Sequence, residues 1–134
     1  MYFHQLEVDR IRASIKTQVG NLDCGCHHLG DVYFRFPDGS LKRPDIAIVC
    51  QQPDPSEYFK PITVIPEAVV EIINEGYEDK DLKLAPGFYL SQGVKDVLIF
   101  DPRAKVIWHH RADGVERLYS PAKISLECGC QCEI

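Results

Sequence analysis

Residues 68–73, Ala-Val-Val-Glu-Ile-Ile, set a single carboxylate inside an otherwise unbroken apolar run. A run without polar alternation suits a strand covered on both faces, so it predicts the centre of a sheet with layers above and below. An ionised side chain in such a place costs on the order of several kcal/mol unless it is paired, protonated or bound to a metal. Glu71 therefore either meets water or a basic side chain at the strand end, or it belongs to a site.

The rest of the chain supplies a sheet for that strand. Val8, Ile11, Ile15 and Val19 recur at spacings of three and four and predict an N-terminal helix over residues 4–19, stopped at Gly20-Asn21. Asp23 to Leu29 reads as a Cys-, Gly- and His-rich connection. Val32 to Phe36 is β-branched and aromatic, and the turn residues Pro37-Asp38-Gly39-Ser40 lead on to Pro44-Asp45 and the apolar run Ile46 to Val49. These two runs predict a hairpin. Residues 51–65, with Pro53, Pro55 and Pro61, read as an exposed loop, and Asn74 to Asp79 as a polar one. A short helix then ends near Gln92 with Gly93 as its cap, and Pro86 fits only its first turn. Val97 to Phe100 is a second buried strand, and Val106 to His109 pairs with Val115 to Tyr119 across Ala112-Asp113-Gly114. The order predicts an α/β (α+β) fold, a mixed sheet flanked by helices, in one domain over residues 1–134.

Composition narrows the function classes. With 45% apolar and 26% charged residues the chain is globular rather than disordered. No apolar run approaches the ~20 residues of a membrane helix, and no signal-peptide pattern opens the chain, so a cytoplasmic location without a membrane partner is the default expectation. The net charge of −5 argues against a broad basic surface for nucleic acid. That argument is weak for a metal site, whose carboxylates count as negative until the cation is added.

Asp45 changes the meaning of Glu71. It too stands at the edge of an apolar strand, directly after a proline. If the two strands are neighbours, the carboxylates converge, which like charges tolerate only with a shared proton or a cation. Oxygen ligands of this kind suit Mg²⁺ or Mn²⁺. Such an ion polarises a phosphodiester and lowers the pKa of an attacking water.

Several segments then carry a resemblance: "RPDIAIV" at 43–49, "PEAVVEII" at 66–73, Asp81, Tyr89, "GVKDVLIFDP" at 93–102 and "VIWHHRADG" at 106–114. Together, and in this order, they resemble the PD-(D/E)XK superfamily of restriction-endonuclease-like nucleases, and within it the bacterial Uma-two family. The likeness is closest over 42–114 and extends loosely to the N-terminal helix with His4. It implies a restriction-endonuclease-like sheet flanked by helices and an Mg²⁺-dependent endonuclease acting on DNA. Asp45 and Glu71 would be the metal ligands, with Asp81 and Tyr89 supporting them. Small nucleases of this fold commonly dimerise to cut both strands, and the late hairpin with Trp108 offers an apolar surface for a homodimer. Such proteins usually carry a further segment ahead of the helix, whereas only three residues precede His4, so a minimal or truncated version with less substrate surface is expected. His4 itself reads as a helix-face histidine.

The lysine that the resemblance implies is displaced. Two residues after Glu71 stands Ile73, and four after Asp81 stands Ala85. On a regular helix Lys83 points roughly 200° away from Asp81. If the helix begins near Pro86, however, Lys83 lies in the preceding loop and can turn toward the carboxylates as a catalytic residue. The other reading makes Lys80 and Lys83 solvated charges.

Six cysteines are many for this length. In a cytoplasmic chain they read as thiols, with Cys50 a small core residue. Cys24 and Cys26 near one end, and Cys128 and Cys130 near the other, could bind Zn²⁺ if the ends met. Their C-x-C spacing is not the usual knuckle, and the plainer reading is reduced thiols in a loop and a frayed tail. Two alternatives thus stand beside the nuclease. One is an inactive relative that keeps the fold for binding or assembly, and the other is a small zinc-binding interaction module.

Overall fold

In the computed structural model, which describes residues 2–74 and 83–134, the run around Glu71 is an inner strand of a mixed sheet. The chain begins with α1 (Tyr2–Ser14), a small hairpin of β1 (Gln18–Val19) and β2 (Leu22–Asp23), then β3 (His27–Gly30). The pair β4 (Phe34–Arg35) and β5 (Leu41–Lys42) leads to β6 (Ile46–Val49). After a 3-10 turn at Pro55–Glu57 come β7 (Ala68–Ile72), α2 (Ala85–Ser91) and β8 (Asp96–Asp101). The hairpin β9 (Val106–Arg111) and β10 (Gly114–Tyr119) follows, and β11 (Lys123–Ser125) and β12 (Gln131–Glu133) close the chain.

Among the described residues the main sheet has the order β10-β9-β8-β7-β6-β3. β7 and β8 run parallel, as a pair joined by a helical crossover can, and the other neighbours are antiparallel. Alternate side chains of the inner strands serve two cores. Ile46, Ile48, Val70, Ile72, Leu98 and Phe100 face Val8 and Ile11 of α1 together with Ile124, Leu126 and Ile134 of the C-terminal hairpin. Ala47, Val49, Val69, Val97 and Ile99 face Phe34, Phe36 and Tyr89 of α2. Cover on both faces is why these strands read as unbroken apolar runs. No helix among the described residues is long and apolar enough to cross a membrane.

The buried strands, the late hairpin and the helix ending at Gln92 lie where the sequence predicts them. Three other expectations change. The first helix stops at Ser14, because Lys16 leaves it to exchange backbone hydrogen bonds of 2.7 and 3.0 Å with Gln131. Gly20, at φ +64°, then turns a hairpin rather than capping a helix. The partner of β6 is β3 and not residues 32–36, so the Cys- and His-rich connection contains the sheet's edge strand. Phe34 and Phe36 are instead drawn under α2, where both are buried, and β4 pairs with β5. The C-terminal stretch is no frayed tail, since Cys130, Cys132 and Ile134 are buried in the α1-side core.

Candidate functional site

The pairing of β6 with β7 sets the two acids on adjacent strand ends. Ile46 faces Val70, and the antiparallel register carried one residue further sets Asp45 opposite Glu71. Residues so paired project from the same region of the sheet. Asp45 is fixed there from two sides. Its Oδ2 accepts the backbone N–H of Ile72 at 2.8 Å, and His4 of α1 donates from Nε2 at 3.1 Å. An ionised carboxylate only accepts, which assigns the proton to Nε2 of His4. The side chains of His4 and Asp45 are 14% and 21% exposed.

Glu71 is half-buried and turns toward the other layer. Its Oε1 accepts the hydroxyl of Tyr89 at 3.0 Å, and α2 holds that tyrosine 5% exposed in the core. The acid borders a cavity of about 290 Å³ whose walls also carry Lys42, Arg43, Ala85 and Phe88. Lys42 lies over the Phe88 ring with Nζ 4.9 Å from its centre. Arg43 lies over the Tyr33 ring and pairs with Asp31 at 3.0 Å. Two cations therefore border the cavity beside Glu71, despite the acidic chain. The net charge gave no sign of this. The local signal was Leu41-Lys42-Arg43 directly ahead of Pro44-Asp45.

The expected lysine positions resolve unevenly. Ile73 is buried in the α2-side core, and Ala85 forms part of the cavity wall. α2 starts at Ala85 with Pro86 in its first turn, so Lys83 is exposed just ahead of the helix. Asp81 and Lys80 lie outside the described residues. Of the residues read from sequence, then, Glu71 meets Tyr89, and Asp45 on the adjacent strand meets His4. Trp108 is half-buried against the α2-side core.

A second polar cluster had no reading in the sequence. Asp96, 1% exposed, opens β8 at the end away from Glu71. His109 and Arg111 donate to its Oδ1 at 2.6 and 2.7 Å, and the Glu127 N–H donates to Oδ2 at 2.8 Å. Burial pushes this carboxyl up, but the bonds from His109, Arg111 and Glu127 outweigh it and hold the acid below its ordinary range. The cluster ties β8, β9 and the C-terminal segment together.

The cysteines form a third cluster, on the α1 side of the sheet. Cys50 is not a core thiol but is bonded to Cys26 in a disulfide. Cys24, Cys128 and Cys130 gather beside them. Cys132 stays apart as a buried thiol pushed up to about 12, first by burial and then by the charge of Asp96. It is a protonated core residue.

Comparison with known proteins agrees with the fold. The model of the Uma2 family, described as "Putative restriction endonuclease", matches residues 3–128. No curated protein matches the chain. Among solved structures it is similar to a putative nuclease belonging to DUF820 from Anabaena variabilis, at 17% identity and a TM-score of 0.62. That similarity covers 76% of this chain, which spans only 60% of the length of the other. The DrdV–DNA complex is a more distant likeness, at 15% identity and a TM-score of 0.44 over 87% of this chain and 9% of that one.

Proposed function

Since the chain belongs to the Uma2 family of putative restriction endonucleases, we propose that it hydrolyses phosphodiester bonds in DNA as a divalent-metal-dependent endonuclease. The observation that carries this reading is the register pairing of Asp45 with Glu71, the latter on the wall of a cavity that also carries Lys42 and Arg43. Two carboxylates on adjacent strand ends form an all-oxygen donor set that fits Mg²⁺ or Mn²⁺, which keep several waters and bridge to phosphate. Bound there, such an ion supplies polarisation of the phosphate and a more acidic attacking water.

The chain's own groups divide the remaining work. The Ile72 N–H and His4 hold Asp45 in one orientation, and Tyr89 holds Glu71. Positioned groups of this kind keep the ligand geometry without reorganising during reaction. Lys42 and Arg43 set positive charge where a phosphate would enter, and their aromatic neighbours Phe88 and Tyr33 restrict where those charges can move. The test is nicking of a supercoiled plasmid. Cleavage is expected with Mg²⁺, is expected to stop in EDTA, and is expected to be lost in Asp45→Ala. An Asp45→Ala protein that cuts like the wild type would end this reading.

Lys42 is proposed to carry the role that the displaced lysine leaves open, because it lines the cavity with Glu71 while Lys83 is exposed ahead of α2. Removing a positive group aimed at developing charge typically costs about 10²–10³ in rate. Lys42→Ala is therefore expected to slow cleavage by about 10²-fold, and Lys83→Ala by far less. Initial rates of nicking compare the two, and a larger loss in Lys83→Ala would return the role to that residue.

Buried Ile73 and small Ala85 favour a second reading, a relative that keeps the fold for binding or assembly. It expects a folded protein that binds DNA without turnover under any divalent metal.

A further inference from the structure

The molecule holds a convergence of sulfur that the nuclease reading does not use. Cys24-Gly25-Cys26 leads into β3, and Cys128-Gly129-Cys130 forms the turn between β11 and β12. Both central glycines take positive φ, +69° and +99°, a backbone that glycine adopts without strain. The two loops touch, for a Cβ built on Gly129 would stand 3.5 Å from Cβ of Cys24. The Cys24 and Cys130 sulfurs are 2.6 Å apart. The Sγ atoms of Cys24, Cys26 and Cys130 lie within 4.8 Å of one another, and so do those of Cys26, Cys50 and Cys128. Four sulfurs around a tetrahedral ion at ~2.3 Å stand roughly 3.8 Å apart, so Cys24 and Cys130 would open from 2.6 Å to admit one.

We propose that Cys24, Cys26, Cys128 and Cys130 form a structural zinc site in the reduced protein, with Cys50 as the partner that withdraws Cys26 on oxidation. In the structure Cys26 is bonded to Cys50. A thiol reductant delivers two electrons and two protons to that bond, giving two thiols and the reductant's own disulfide. Zn²⁺ then forms four Zn–S bonds, and four thiol protons pass to water. Oxidation by a disulfide of the same class reverses the first step. It leaves three ligands for the ion, too few for a closed structural site.

The site has a definite mechanical role. It would clamp the segment after α1 to the C-terminal hairpin, where the Lys16–Gln131 backbone pair and the Ser14–Glu133 contacts already join them. The proposal stands independently of any nuclease activity.

Elemental analysis of the full chain, purified with a thiol reductant in zinc-containing medium, is expected to find one zinc per chain. Co²⁺ titration of the reduced, metal-free wild type is expected to raise thiolate-to-metal absorption that saturates at one equivalent. Cys24→Ser and Cys130→Ser are expected to weaken Co²⁺ binding by more than the roughly 10–100-fold that loss of an outer contact costs. Cys50→Ser is expected to bind like the wild type and to keep its metal in a disulfide oxidant that strips the wild type. Reduced wild type without stoichiometric zinc or a thiolate band overturns the proposal, whatever the variants do. So does a Cys50→Ser protein that binds no metal.

Discussion

Glu71→Gln is expected to yield a folded protein whose Mg²⁺-dependent cleavage of plasmid DNA falls by at least about 10³-fold. The substitution is nearly isosteric, and an amide oxygen can still accept the Tyr89 hydroxyl that Glu71 accepts at 3.0 Å. What disappears is the negative charge, and with it a carboxylate that the proposed site needs for a hard cation. Asp45→Ala tests the same site less cleanly. It also strands the Ile72 N–H now bonded at 2.8 Å, and a buried unsatisfied donor costs about 1–3 kcal/mol. Cleavage rate measured beside thermal unfolding separates the two effects. A Glu71→Gln protein that cuts at the wild-type rate would place the chemistry elsewhere.

Asp96→Ala is expected to give the largest loss of stability of any single charge removal in the described residues. Breaking a buried ion pair by deleting one partner costs about 3–5 kcal/mol. The low end applies, since the Arg111 side chain is 42% exposed and can turn to water, whereas buried His109 cannot. About 3 kcal/mol corresponds to a fall of roughly 10 °C in Tm for a domain of this size. The pH dependence has a definite sign. The folded pKa of Asp96 is depressed, so its contribution is present above the unfolded value of ~3.9 and is lost as pH falls through the lower folded value. Denaturant midpoints between pH 7 and pH 3 should therefore fall less steeply in Asp96→Ala than in the wild type. Equal slopes would mean that Asp96 is not held ionised by its partners.

Much of this architecture is legible in the sequence where one physical signal dominates. β7 and β8 are apolar on both faces because both faces are covered, and Gly93 ends α2 at φ +103°, where glycine is favoured. The Asp45–Glu71 pairing follows once two apolar runs are taken as neighbours. The signal fails where long-range pairing competes with local pattern. Ile15 continues the helical spacing of Val8 and Ile11, yet Lys16 finds a better backbone partner 115 positions on, at Gln131. β3 escaped notice because His27, His28 and Gly30 lack strand composition, while Phe34 and Phe36 had it and were used as packing for α2. The placing of His4 on Asp45 needs α1 to cross the sheet, and the approach of Lys42 to Glu71 needs the turn of β4 and β5. Neither leaves a trace in spacing.

The bond between Asp45 and the Ile72 amide has an evolutionary reading. That N–H belongs to the backbone of β7, so the aspartate serves as a rung of the ladder at the point where β6 runs out. A lineage that abandoned cleavage would still be selected to retain it for the sake of sheet register. Its survival in a sequence is accordingly poor testimony of turnover. Glu71, whose oxygen accepts the Tyr89 hydroxyl, is the position whose loss would bear more directly on the proposed cleavage.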